Sequence, residues 1–324
     1  MLNTRLHVTL GGVKQLIHIQ SANPKRPVLL FLHGGPGVVS RLTGHPDLLD
    51  AFTLVSWDQR GTGGSWRGVK TSTLSVRQYT DDAAELLEWL CKTFRKDKIF
   101  VMGGSWGSEL GTYLAYRYPA RVAAFVGFGQ VVDGAKNEEL SYNFAHAAAL
   151  AAGDADAVAE LESIGPPVNG LYKGGLKGLL TQRKIMMRYG GYSPDEKRSG
   201  MWKGTVKPIL FSRNFTPYEI LGILVGGIKL GKAMLPTMGE ANLAKDCPHF
   251  DVPYFIFDGR LDHNTPAELV EDYFEAITAP RKELIWFENA GHNPLNDEPD
   301  VFKYLLRKKL GEVAAQWNGE GVVV

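Results

Sequence analysis

The residue types that could carry chemistry in this 324-residue chain gather around Ser105, in the stretch GGSWGS at 103–108. A serine hydroxyl is a weak nucleophile until a base takes its proton and a third group orients that base. Gly103 and Gly107 complete a G-x-S-x-G pattern, which leaves room for a sharp turn that lifts the hydroxyl clear of the backbone. Among eight histidines, His292 is the candidate base, because it follows an apolar run and is flanked by Gly291 and Asn293. The orienting acid is expected between serine and histidine in sequence. Asp258 and Asp262 both qualify; Asp262, further into its loop, is the first choice. His33, His45 and His263 are weaker candidates, and His33 reads as a ring packed beneath its own glycine loop.

Acyl transfer also places negative charge on an oxygen, which needs preorganised backbone N–H donors. The N–H of Trp106, next after the nucleophile, is one. The second is expected from HGGPG at 33–37, where glycines allow close approach. Gly35 is the first choice and Gly34 the second, since Pro36 has no N–H.

These residues need a scaffold, and the chain spells one out. Ile99 to Met102 is a continuous apolar run, as a strand buried on both faces of a parallel sheet demands. Trp106 to Tyr118 has helical spacing and stops at Pro119. Ser105 therefore falls where a buried strand turns into a helix, at the sheet edge where open α/β sheets bind ligands. Arg5–Leu10 and Val13–Ile19 read as strands joined at Gly11-Gly12. Val28–Leu32, Phe52–Trp57, Val122–Gly129, Val252–Phe257 and Glu283–Phe287 read as further strands. Helices are expected at Val76–Phe94 and Pro299–Leu310, and another from the capping box Thr265-Pro-Ala-Glu268. The alternation predicts an α/β fold, a mostly parallel sheet with helices on both faces. That core occupies 1–130 and 248–324, interrupted at 131–247 by a mostly helical insertion. Charge in the insertion is uneven. Val131–Gly170 has seven acidic residues against one basic, and Leu171–Arg213 has ten basic against two acidic. Such runs are usually solvated helix faces; the functional reading is a lid whose charge helps choose the substrate.

Composition sets the outer bounds. Hydrophobic residues at 44% and charged residues at 22% suit a soluble globular protein, and a net charge of +1 gives no sign of a nucleic-acid partner. Cys91 and Cys247 stand alone, without a C-x-x-C or a Cys/His cluster, so neither a disulfide framework nor a structural zinc is expected. The N-terminus reads as a strand and not as a leader. The apolar stretch Tyr218–Leu230 is too short to span a bilayer and carries Glu219 and Lys229. A cytoplasmic protein without a membrane partner is the expectation, and oligomeric state is left open.

In its motifs the chain resembles the α/β-hydrolase superfamily and, within it, the proline iminopeptidase family. The resemblance rests on HGGPG at 33–37, DQRGTGGS at 58–65, GGSWGS at 103–108, GRLD at 259–262 and AGH at 290–292. The order Ser105, Asp262, His292 matches the serine–acid–histidine order of that superfamily. The resemblance implies an α/β-hydrolase fold with a helical cap, those three residues as nucleophile, acid and base, and release of an N-terminal residue, typically proline, from short peptides. It implies no metal or cofactor. The insertion departs from the family. Proline iminopeptidases hold the substrate amine with cap glutamates near a tryptophan segment, yet no W-x-x-W-E occurs here and Trp202 is the insertion's one tryptophan. Glu138 and Glu139 are the nearest substitutes by composition, although both also read as a solvated helix start. An esterase or amidase of a small apolar or anionic metabolite is the alternative from the same core. A binding protein that has lost turnover is the third.

Overall fold

A computed structural model describes residues 2–198, 200 and 202–318. Eight strands, β1 (Leu2–Leu10), β2 (Val13–Ser21), β3 (Val28–Leu32), β4 (Thr53–Trp57), β5 (Ile99–Gly104), β6 (Val122–Phe128), β7 (Tyr254–Gly259) and β8 (Lys282–Phe287), form one sheet. Their spatial order is β1-β2-β4-β3-β5-β6-β7-β8. Only β2 among them runs against its neighbours, pairing antiparallel with β1 and β4, and every later pairing is parallel. This is the mostly parallel sheet that the alternating pattern predicts, in the α/β-hydrolase arrangement that the resemblance implies. The central strands β3, β4, β5, β6 and β7 are buried along their whole lengths, which is why they read as continuous apolar runs without alternation.

Helices α1 (Val76–Phe94) and α2 (Trp106–Arg117) cover one face of the sheet; α11 (Pro299–Asn318) covers the other. Ser75 caps α1 by accepting the Gln78 N–H, and the helix buries Leu86, Leu87 and Leu90 against the sheet. Each such leucine contributes about 1.5–3 kcal/mol of transfer free energy. Helix α11 continues eight residues beyond the Leu310 boundary expected from sequence, because Val313 and Ala314 also enter the core. Helix α9 (Glu268–Ala276) starts later than the capping box predicts. The Thr265 hydroxyl that should cap it donates instead to Asp262 Oδ2 at 2.7 Å. The short α10 (Pro294–Asp297) follows the His292 loop.

Between β6 and β7 come α3 (Gly134–Ala151), α4 (Ala155–Ile164), α5 (Leu176–Arg188), α6 (Lys207–Leu210), α7 (Pro217–Met238) and α8 (Leu243–Asp246). Helices α3, α4 and α5 share a separate apolar cluster that includes Ala145, Leu161 and Ile185. Helix α7 is the exception to the sequence reading of its region. It runs for 22 residues and, alone among the described residues, is long and apolar enough by length and composition to cross a membrane. Its start is fixed to the core by charge. Arg41, almost wholly buried, pairs with Asp58 at 2.6 Å and with Glu219 of α7 at 3.2 Å. Glu219 also completes a capping box with Thr216. The guanidinium beside Glu219 and the N–H of Thr216 hold its carboxyl below the usual range against the opposing effect of burial.

Candidate active site

Strand β5 ends at Gly104 and α2 begins at Trp106, so Ser105 alone makes the turn, with φ 56° and ψ −125°. Side chains avoid this region, and holding one there costs of order 1–3 kcal/mol. Backbone bonds hold it. The Ser105 N–H donates to Phe128 O at 2.9 Å, and its carbonyl accepts from the Ser108 hydroxyl at 2.6 Å. The flanking glycines supply clearance. A Cβ on Gly103 would lie 2.0 Å from Gly107 O, and one on Gly107 would lie 2.0 Å from Leu32 O. Strand, helix and the end of β3 thus touch backbone to backbone.

Asp262 and His292 come from the loops after β7 and β8, which are neighbours in the sheet. His292 Nδ1 lies 2.8 Å from Asp262 Oδ2, with both side chains buried. The carboxylate is held in turn by the N–H groups of Asn264 (2.8 Å) and Thr265 (3.0 Å) and by the Thr265 hydroxyl. With its N–H directed at Asp262, the ring offers Nε2 as the acceptor. Asn264 Nδ2 lies 3.2 Å from Nε2, and the Tyr192 ring packs on the imidazole with centroids 4.9 Å apart. The His292 N–H donates to Tyr192 O at 2.8 Å, and the His263 N–H to Gly191 O at 2.9 Å. The insertion's backbone therefore caps the acid–histidine loops. Asp258, the other candidate acid, is placed differently. Its carboxylate accepts from the N–H groups of Gly129, Gln130 and Gly259. Burial, reinforced by the nearby Asp262 charge, pushes its pKa well up.

The HGGPG loop lies against Ser105. A Cβ on Gly34 would be 3.3 Å from Ser105 Cβ. The N–H groups of Gly35 and Trp106 have no acceptor among the described residues, as donors awaiting a ligand oxygen would. The loop is fixed through His33, which is fully buried and whose pKa burial lowers to about 4, so the ring is neutral. Nδ1 bonds Gly34 O at 2.8 Å, and Nε2 accepts the Gln59 N–H at 3.2 Å. Gln59 Nε2 returns to His33 O, and Gln59 Oε1 accepts from the Trp106 indole at 2.9 Å. Gln59 therefore braces the glycine loop against α2, the helix that follows Ser105. Its place in DQRGTGGS was a resemblance in the sequence; its function is visible only in space.

Ser105, Gly34, Gly35, Trp106 and His292 all line one cavity of about 630 Å³. Helices α3, α5, α6 and α7 contribute to its wall. Glu138 lines the cavity and is buried, whereas Glu139 points outward. Glu138 Oε1 pairs with Arg183, leaving Oε2 without a partner among the described residues, as is Asn137 Oδ1 beside it. Among the described residues, no cluster of His, Cys, Asp and Glu could hold a metal.

Sequence reasoning missed Glu109, one helical turn beyond Ser105. It lines the same cavity, is almost wholly buried, and its carboxyl makes no hydrogen bond among the described residues. Burial, with a smaller contribution from Asp246, raises its pKa from 4.5 to about 8. The folded chain therefore holds this proton more tightly than the unfolded chain, so stability falls as pH rises from 4.5 toward 8. Glu109→Gln should remove that slope. In urea titrations the variant's advantage over wild type should grow across this interval by a few kcal/mol; parallel curves at both ends would show an unperturbed carboxyl.

Comparisons with known proteins follow the same outline. The alpha/beta hydrolase fold family matches residues 27–160. A probable aminopeptidase of Bacillus subtilis (strain 168) is 26% identical over 307 residues, which cover 93% of this chain and 94% of the relative. A probable proline iminopeptidase of Leptolyngbya boryana is 26% identical over 323 residues, covering 96% and 94%. Among solved structures, a proline iminopeptidase from Mycobacterium smegmatis superposes with a TM-score of 0.69 at 16% identity. That match covers 97% of this chain and 100% of the other.

Proposed function

For a chain that has the α/β-hydrolase fold and resembles the proline iminopeptidases, we propose a serine hydrolase that releases an N-terminal proline, or another small residue, from short peptides. Ser105 Oγ attacks the acyl carbonyl and His292 Nε2 takes its proton. Asp262 holds the Nδ1–H and stabilises the imidazolium that forms. The N–H groups of Gly35 and Trp106 receive the oxyanion, with Gly34 giving the close approach. The protonated His292 then returns its proton to the leaving amine, and water repeats the cycle on the acyl-enzyme. The insertion serves as the cap that closes the cavity.

The observation that carries the peptidase reading is the pair of unpartnered buried acceptors, Glu138 Oε2 and Asn137 Oδ1, in the wall of the Ser105 cavity. Buried polar atoms are nearly always satisfied, and a free substrate amine brings the missing donors. The alternative, an esterase or amidase of an anionic metabolite, draws on Arg183, which adds a cation to the same wall.

Three matched substrates separate the readings: a free-amine prolyl arylamide, its N-acetyl counterpart and a small aryl ester. A charged hydrogen bond to the amine should favour the free-amine arylamide about 10- to 100-fold in kcat/KM, and Glu138→Gln should erase most of that preference. Ester turnover with no gain from the amine would establish the esterase reading and remove the peptidase one.

A further inference from the structure

Helix α7 is apolar on two sides. Its inward face combines glycines with Ile223, Leu230 and Met234, all buried; a Cβ on Gly222 would lie 2.1 Å from Gly63 O, and one on Gly226 would lie 2.2 Å from Gly61 O. At the glycines the helix is thus pressed backbone-first onto the core. A second set of large apolar residues lies on the opposite side, where Tyr218, Leu221, Leu224, Val225 and Ile228 are all exposed, Ile228 at 58%. Their spacing keeps them on one stripe along the helix.

The exposed charges of the surrounding segment have one sign. From Trp202 to Met238 the sequence has five basic residues and one acidic. The acidic one, Glu219, is buried and already paired with Arg41. Lys203, Lys207, Arg213, Lys229 and Lys232 are exposed. Arg67, from the core, lies over the Tyr218 ring at 5.6 Å, and Lys229 is positioned by its bond to Val69 O. Trp202 and Phe211, both exposed, add aromatic rings to the same segment. An exposed apolar stripe in a segment whose exposed charges are all cations, with exposed aromatic rings in the same segment, suits the headgroup level of an anionic bilayer. A second copy fits worse, because a two-fold contact sets the same cations against one another.

We propose that the outward face of α7 docks in the plane of an anionic phospholipid surface. Spanning is excluded by the inward face, which packs on the core and holds Glu219 to Arg41. Gly227 and Gly231, next to the stripe on the same helix, line the Ser105 cavity together with Pro208 and Ile209 of α6. Docking therefore sets the wall of the cavity against the lipid. The sequence-based expectation of no membrane partner weighed the length of the apolar run and its charges, Glu219 and Lys229, which test spanning and not docking in the interface. The proposal does not depend on what Ser105 hydrolyses.

The test is co-sedimentation of the full chain with vesicles of pure phosphatidylglycerol and of pure phosphatidylcholine, beside its oligomeric state by sedimentation. Binding to phosphatidylglycerol alone, weakened by salt, is expected. Ile228→Glu and Lys232→Glu should each weaken it about tenfold or more. Turnover of a soluble substrate should be unchanged in both, which shows that they fold. Equal binding by wild type and variants would overturn the proposal, as would no binding to phosphatidylglycerol. A wild-type dimer that Ile228→Glu dissociates, without lipid binding, would assign the face to a second copy.

Discussion

Ser105→Ala is expected to lower kcat by about 10⁶-fold while leaving the melting temperature nearly unchanged. Both halves of the expectation follow from the turn. Ser105 Oγ makes no hydrogen bond among the described residues, so the fold loses nothing with it. The bonds that hold the turn come from the Ser105 backbone, to Phe128 O and from the Ser108 hydroxyl, and alanine keeps both. Alanine also keeps the Cβ, and with it the positive φ and its cost. The activity loss should be confirmed by a fluorophosphonate probe that labels the wild type and not the variant. Residual turnover near wild type, or labelling of the variant, would remove Ser105 from the mechanism.

The second large effect separates two buried aspartates four residues apart. Asp262→Asn should lower kcat by about 10⁴-fold, because the amide turns the imidazole toward the wrong tautomer without emptying the space. Asp258→Asn should do the opposite. Its carboxylate accepts from three backbone N–H groups and hydrogen-bonds to no catalytic candidate, and an amide there presents a donor to donors at a buried site. The expected cost is about 1–3 kcal/mol of stability, with kcat inside about tenfold of wild type. Measuring kcat and melting temperature on both variants decides the matter. If Asp258→Asn costs more activity than Asp262→Asn, the acid has been assigned to the wrong loop.

That distinction marks where the sequence stops being readable. The strand before Ser105, the helix after it and the glycines around it are local signals, and each corresponds to an element of the structure. Asp258 and Asp262 remained a choice because loop position says little about which carboxylate reaches an imidazole 30 or more residues away. Thr265 was read as a helix cap because its local pattern fits one. The competing partner, Asp262, lies only three residues back, but its orientation is set by β7. Glu109 looked like an ordinary charged residue in a helix, since its burial comes from packing that the local helix pattern does not record, and the charge that adds to its pKa shift, Asp246, lies more than a hundred residues away. Helix α7 was underestimated for a physical reason too. Its glycines interrupt an apolar run in sequence, yet in space they are the face that brings it to the core.

The two carbonyls that meet the acid–histidine loops, Tyr192 O on the His292 N–H and Gly191 O on the His263 N–H, make the insertion something other than an interchangeable module. A transplant of 131–247 from another hydrolase would exchange the specificity wall and, in the same cut, remove the main-chain acceptors that fix the height of the imidazole. The insertion's share of the cavity wall and the hold on the proposed base are therefore joined at Gly191, Tyr192 and the residue that follows them, Ser193. A workable graft boundary has to keep that tripeptide with the recipient's histidine loop.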